Sequence, residues 1–130
     1  MVIDSSAWVA IVLGESDAEI FESQICAAIE RFETIYVPAS VIFEAGWILD
    51  RKGKGGQFDA LLRSLRPVLV PIDADIAGIA RSAASIFGKG IHKAKLNFGD
   101  CMSYAVCAKL GERLLFKGDD FVHTDVQSVL

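Results

Sequence analysis

Four acidic side chains occupy comparable places along this chain. Asp4 ends the short apolar run Met1 to Ile3, and Glu44 lies in the first turns of the segment after the apolar run Thr34 to Val37. Asp100 opens a further helical segment, and Asp119 follows the last apolar run, Leu114 to Phe116. If those runs are strands of one sheet, all four carboxylates can face its carboxyl end, where open α/β sheets bind ligands. Carboxylates gathered there repel one another and are costly to keep ionised without a cation. Oxygen ligands with no accompanying His or Cys suit Mg²⁺, or Mn²⁺, rather than zinc, and Mg²⁺ takes only one or two carboxylates while keeping several waters. A hard cation so held suits phosphodiester hydrolysis, because it lowers the pKa of a bound water and stabilises charge on the phosphoryl oxygens. Nothing in the sequence decides between one ion and two.

Each residue also has a structural reading. Asp100 is favourable at a helix N-terminus, and Asp119 beside Gly118 suits a turn. Glu44 is harder to explain that way, because it stands among Val41, Ile42, Phe43, Ala45, Gly46, Trp47 and Ile48, where an unpaired carboxylate is expensive. Asp4, between an apolar strand and an apolar helix, presents the same difficulty. The set carries the argument.

The elements that must position these residues alternate. Met1 to Ile3 reads as a strand, followed by a helix through Leu13 capped by Ser5 or Ser6. A second helix starts at Ser16 or Asp17, with Ile20, Phe21, Ile25 and Ile29 at helical spacing. Thr34 to Val37 reads as a β-branched strand stopped by Pro38. A helix from Ser40 to Arg51 follows, with Val41, Ile42, Ala45, Ile48 and Leu49 on one face. Lys52 to Gly56 reads as a flexible basic loop. A helix from Phe58 to Leu65, an almost wholly apolar strand from Val68 to Ile72 and a helix from Asp73 to Phe87 come next. Gly88 to Lys95 is a loop, and the helix after Asp100 turns Met102, Ala105, Val106 and Leu110 inward. Leu114 to Phe116 is the last short strand. The alternation predicts a three-layer α/β/α sandwich around a central, mostly parallel sheet of four or five strands, built as one domain over residues 1–130.

The bulk numbers narrow the function. The 130 residues fit one core, and a hydrophobic content of 52% also leaves apolar surface for a partner. A net charge of -4 is the wrong sign for holding nucleic acid by bulk electrostatics, so any such binding needs a local basic patch or bound cations. The apolar stretch Ala7 to Leu13 is too short to span a bilayer, and Asp4 stands where a signal peptide needs positive charge, so the chain reads as cytoplasmic. Cys26, Cys101 and Cys107 have no CxxC spacing and read as reduced core residues.

Four segments resemble the PIN-domain toxins of the VapC type. They are Val2-Ile3-Asp4-Ser5-Ser6-Ala7, Ser40-Val41-Ile42-Phe43-Glu44, Leu96-Asn97-Phe98-Gly99-Asp100-Cys101 and Leu114-Leu115-Phe116-Lys117-Gly118-Asp119-Asp120-Phe121. Each is weak alone, but they follow the family's order across nearly the whole chain. The resemblance implies Asp4 and Asp100 as the principal metal ligands, with Glu44 on the ion or just behind its ligands, and Ser6 as a supporting hydroxyl. One departure stands out: where many PIN domains run Leu-Leu-Thr-x-Asp, a gapless match places Gly118 at the aspartate. Asp119 or Asp120 can substitute; Asp119 comes sooner after the strand and is preferred, and Asp125 is a more distant candidate that suits local capping. The resemblance further implies an RNA substrate, cleavage by metal-activated water, a homodimer, and inhibition by a VapB-like antitoxin.

Lys52, Lys54, Lys89, Lys93, Lys95 and His92 sit in loops able to hold phosphates, or are ordinary solvated side chains. With the metal activating water, neither His92 nor His123 is required as a base. Trp8 and Trp47, given their apolar neighbours, read as core or partner-binding residues. A nucleotide-binding module is disfavoured because neither glycine-rich loop supplies GxGxxG or GxxxxGK[ST]. A receiver-like phosphoacceptor needs paired aspartates near the first strand, where Asp4 stands alone, although Lys117 suits its post-strand lysine. A non-catalytic binding domain has no use for intact Asp4, Glu44 and Asp100.

Overall fold

The computed structural model describes residues 1–130. Strand β1 (Val2–Ile3) leads into helix α1 (Ser5–Leu13), and α2 (Ala18–Glu30) precedes β2 (Tyr36–Pro38). Helices α3 (Ala39–Arg51) and α4 (Gly55–Leu65) come before β3 (Val68–Val70), and α5 (Ala74–Phe87) and α6 (Phe98–Leu110) before β4 (Leu114–Leu115). The sheet has four strands in the order β3-β2-β1-β4, every pair parallel, so β1 is central and Asp4 leaves the middle of the carboxyl edge.

Alternation along the strands sorts the core to two faces. Ile3, Val37 and Leu115 pack on one side with Trp8, Phe21, Val41, Leu49 and Phe58, so α1 to α4 cover that face. Val2 and Leu114 pack on the other with Ile76, Ala80, Ala105 and Val106 from α5 and α6. The result is the expected three-layer α/β/α arrangement, here with four strands.

Several expectations are corrected. β2 starts at Tyr36 rather than Thr34 and ends at Pro38, its last residue, opposite Val70. The basic loop is shorter than expected: α4 starts at Gly55, where a Cβ would overlap the Asp50 carboxylate, so close packing overrides glycine's low helix propensity. β3 is an edge strand, and its Val68 and Leu69 are exposed despite their apolar character. Ile20 and Ile29 lie on the outer side of α2, while Phe21 and Ile25 alone of that set are buried. Leu110 faces outward in the last turn of α6, and Cys26 is exposed, unlike Cys101 and Cys107. Of the tryptophans, Trp8 is wholly buried and Trp47 is exposed, stacked on Phe43 at 6.0 Å. No helix is long and apolar enough to cross a membrane.

Candidate active site

Asp4 is the N-cap of α1, a role expected of Ser5 or Ser6. Its Oδ2 accepts from the Ser6 N–H at 3.0 Å and from Ser6 Oγ at 2.6 Å, while Oδ1 accepts from Ser103 Oγ at 2.6 Å. A carboxylate only 2% exposed is thereby held by three donors from two helices. The Ser6 hydroxyl also accepts the Lys117 N–H at 3.0 Å, tying the chain after β4 to the start of α1.

Asp100 sits at the third position of α6 in a reciprocal cap: its Oδ2 accepts from the Asn97 N–H at 2.7 Å, and Asn97 Oδ1 accepts from the Asp100 N–H at 3.0 Å. The structural reading of Asp100 therefore holds, but it is not the whole account. Burial pushes this carboxyl up to about 6, the Asn97 amide opposes the rise, and the charges of Asp4, Asp120 and Glu44 add to it. Glu44, half-buried on α3, is raised by burial and then by Asp4, against a smaller lowering influence of the nearby Ser5 hydroxyl. Gly99 makes room for it, since a Cβ there would overlap the Glu44 carboxylate. One turn earlier on the same face of α3, the Ser40 hydroxyl oxygen is buried without a partner.

Asp4, Glu44, Asp100 and Asp120 thus share one electrostatic neighbourhood at the carboxyl edge of the sheet. The sequence pattern of the PIN domain matches residues 1–127, almost the entire chain. The chain belongs to the PIN-domain family. This PIN domain is 42% identical over 133 residues to the ribonuclease VapC30 of Mycobacterium tuberculosis, covering 99% of this chain and 98% of the relative. It is 41% identical to the ribonuclease VapC of Mycolicibacterium smegmatis, with 99% of each chain covered. Among solved structures it resembles VapC20 of Mycobacterium tuberculosis, a sarcin–ricin loop cleaving toxin, with a TM-score of 0.76 at 18% identity over 98% of this chain and 97% of that one. A toxin–antitoxin complex from Klebsiella pneumoniae matches with a TM-score of 0.69 at 15% identity, covering 95% and 92%.

Within the PIN domain, Asp119 and Asp120 are both exposed, and of the two it is Asp120 whose charge acts on Asp100. Asp125 takes the Tyr104 hydroxyl at 2.8 Å on another part of the surface. Lys117 turns away from the acidic cluster to Glu15 at 2.7 Å and Asp17 at 3.3 Å, which leaves a receiver-type use of that lysine without support. Lys52, Lys89, Lys93 and Lys95 are exposed and Lys54 is half-buried; none of them makes an ion pair. A groove of about 490 Å³ between α5 and α6, lined by Arg81, Lys89, Asn97, Phe98 and Met102, opens beside the cap of α6. His92 Nδ1 accepts the Ala94 N–H at 3.2 Å with its ring edge-on to Phe87, a packing role, and His123 is exposed.

One contributor, Ser103, escaped the sequence reading, and another, Asp120, was its less-favoured alternative. The signal that could have found Ser103 is its position three after Asp100, which places both on one face of α6. Asp120 lost to Asp119 on proximity to the strand, and only the course of the turn after β4 separates the two.

Proposed function

We propose that this PIN domain is an endoribonuclease using Mg²⁺, or Mn²⁺ in its place, and the toxin half of a type II toxin–antitoxin pair. The observation that carries the reading is the gathering of Asp4, Glu44, Asp100 and Asp120 at the carboxyl edge of the sheet, with Asp100 raised to about 6 by burial and by its acidic neighbours. A site that destabilises its own charges in this way suits a resident cation.

The residues fit a hydrated ion better than a fully protein-caged one. No three His, Cys, Asp or Glu side chains converge closely enough to hold an ion by themselves, and Mg²⁺ commonly takes one or two carboxylates and retains water. Asp4 and Asp100 would hold it, with Glu44 and Asp120 close by; Asp100 Oδ1 makes no hydrogen bond within the chain, and the unpartnered Ser40 hydroxyl suits a bound water. When bound, the ion supplies a water of lowered pKa and neutralises charge on the transferring phosphoryl group. The chain's own part is to hold the Asp4 carboxylate in place through Ser6 and Ser103, to hold Asp100 through Asn97, and to offer Arg81 and Lys89 to RNA phosphates. With a net charge of -4, that local patch and the ion must together overcome the general repulsion of RNA.

The relatives' names as VapC ribonucleases support RNA as the substrate, and the likeness to a toxin–antitoxin complex supports a VapB-like antitoxin as partner. We extend the reading to a homodimer acting in the cytoplasm, where that RNA is found; exposed Phe43, Trp47 and Phe98 supply apolar surface for association.

The test is cleavage of RNA by the purified protein with Mg²⁺, with Mn²⁺ and with EDTA, comparing Asp4→Ala and Asp100→Ala. Cleavage should require the metal and fall by at least about 100-fold in both variants. Cleavage that persists in EDTA, or full activity in both variants, removes the mechanism. Co-purification of a small DNA-binding protein encoded beside this one tests the antitoxin.

A further inference from the structure

We propose that Ser103 is a positioning residue that fixes the Asp4 carboxylate and so sets how tightly the acidic cluster holds a divalent cation; this rests on the metal-dependent reading above. Ser103 is completely buried in α6, and its hydroxyl reaches Asp4 Oδ1 at 2.6 Å across 99 residues of sequence. Serines within a helix ordinarily turn the hydroxyl back onto their own helix. Ser82 and Ser85 of α5 do so, donating to the Gly78 carbonyl at 3.2 Å and to the Arg81 carbonyl at 3.1 Å. Ser103 instead commits its one proton to a carboxylate on another element.

The consequence follows from what a carboxylate does when unsecured. It rotates about the Cβ–Cγ bond, and here Ser6 secures Oδ2 from α1 while Ser103 secures Oδ1 from α6. Removing the Ser103 hydroxyl leaves only Oδ2 fixed and the plane free to turn, whereas Oδ2 keeps the Ser6 N–H even without the Ser6 hydroxyl. Ser103 also lies three residues after Asp100 on α6, so one rigid helix places Asp100 and orients Asp4 together. Outer partners of metal ligands commonly govern affinity by about 10–100-fold.

The experiment is titration of Mn²⁺ into the full-length protein at 25 °C, read by calorimetry and by the electron paramagnetic resonance signal of free Mn²⁺, for wild type, Ser103→Ala and Ser103→Thr. Ser103→Ala should weaken Mn²⁺ binding by about 10-fold or more, and Ser103→Thr, which keeps the hydroxyl, should hold the metal more tightly than Ser103→Ala. Because affinity is measured on folded protein, a loss of stability alone does not move it; circular dichroism identifies the folded samples, and whichever variant folds provides the comparison with wild type. Equal Mn²⁺ affinity in wild type and Ser103→Ala, or weakening to the same degree in both variants, overturns the assignment of Ser103 and leaves the metal reading intact. Absence of Mn²⁺ binding to wild type overturns the metal reading itself, and Ser103 then has nothing to position.

Discussion

Asp100 shows how one side chain serves both architecture and chemistry. As a cap it satisfies the Asn97 amide, and as part of an acidic cluster it is held at about 6, above the 3.8 expected of a free aspartate. Its raised value makes the folded state bind the proton more tightly than the unfolded state. Stability contributed by Asp100 is therefore highest below pH 3.8, falls as pH rises toward about 6, and stays low above that. A shift of this size corresponds to about 3 kcal/mol at most. Asp100→Asn keeps the capping oxygen but removes the charge. In EDTA it should melt higher than wild type at pH 7.5, with the difference shrinking toward pH 4, while cleavage is lost; calorimetry across that pH range checks it. The fourth carboxylate is separable in the same way. Asp120→Asn should reduce cleavage by about 10-fold or more, whereas Asp119→Asn, whose charge does not act on Asp100, should leave it within about 2-fold.

At the scale of elements, the site is made where α3 and α6 approach over the carboxyl edge of the sheet, and Gly99 permits the approach. Gly99→Ala places a methyl group where the Glu44 carboxylate lies, so the side chain or the helix must move. We expect cleavage to fall by about 10-fold or more while the melting temperature changes by only a few degrees, as a small shift near the chemistry costs more in rate than in stability. Gly55→Ala should do the reverse, lowering stability through its clash with Asp50 and leaving cleavage unchanged; thermal melts beside a cleavage assay distinguish the two. Periodicity found most of these elements because the helices bury one face each. It misplaced the ends where packing outvoted propensity, as at Gly55, and where an apolar run faces solvent, as at Val68 and Leu69.

For the whole molecule, a sheet covered on both faces leaves its edges as the places where polar groups collect, and this chain puts its buried carboxylates at one of them. That concentration of like charge is a standing cost to the fold, which a cation held as proposed would offset. Mg²⁺ or Mn²⁺ at about 100-fold excess over its Kd should raise the melting temperature of wild type by on the order of 5–10 °C. The rise should be far smaller in Asp4→Ala. Equal rises in both, followed by differential scanning fluorimetry, would place the metal's stabilising effect elsewhere on the molecule.

The sequence by itself determined the alternation of strands and helices, the layered class that follows from it, and three of the four clustered acids. Those depend on local properties: the period of the apolar residues, the capping preference of Asp and Asn, and the cost of a carboxylate among apolar neighbours. Tertiary structure alone decided that the charge of Asp120 reaches Asp100 and that Ser103 holds Asp4. It also decided that Lys117 turns to Glu15 and that β3 lies at the sheet edge. Each of these depends on a turn's path or on a contact between residues far apart in the chain, and such contacts are fixed only when the two faces of the sheet close.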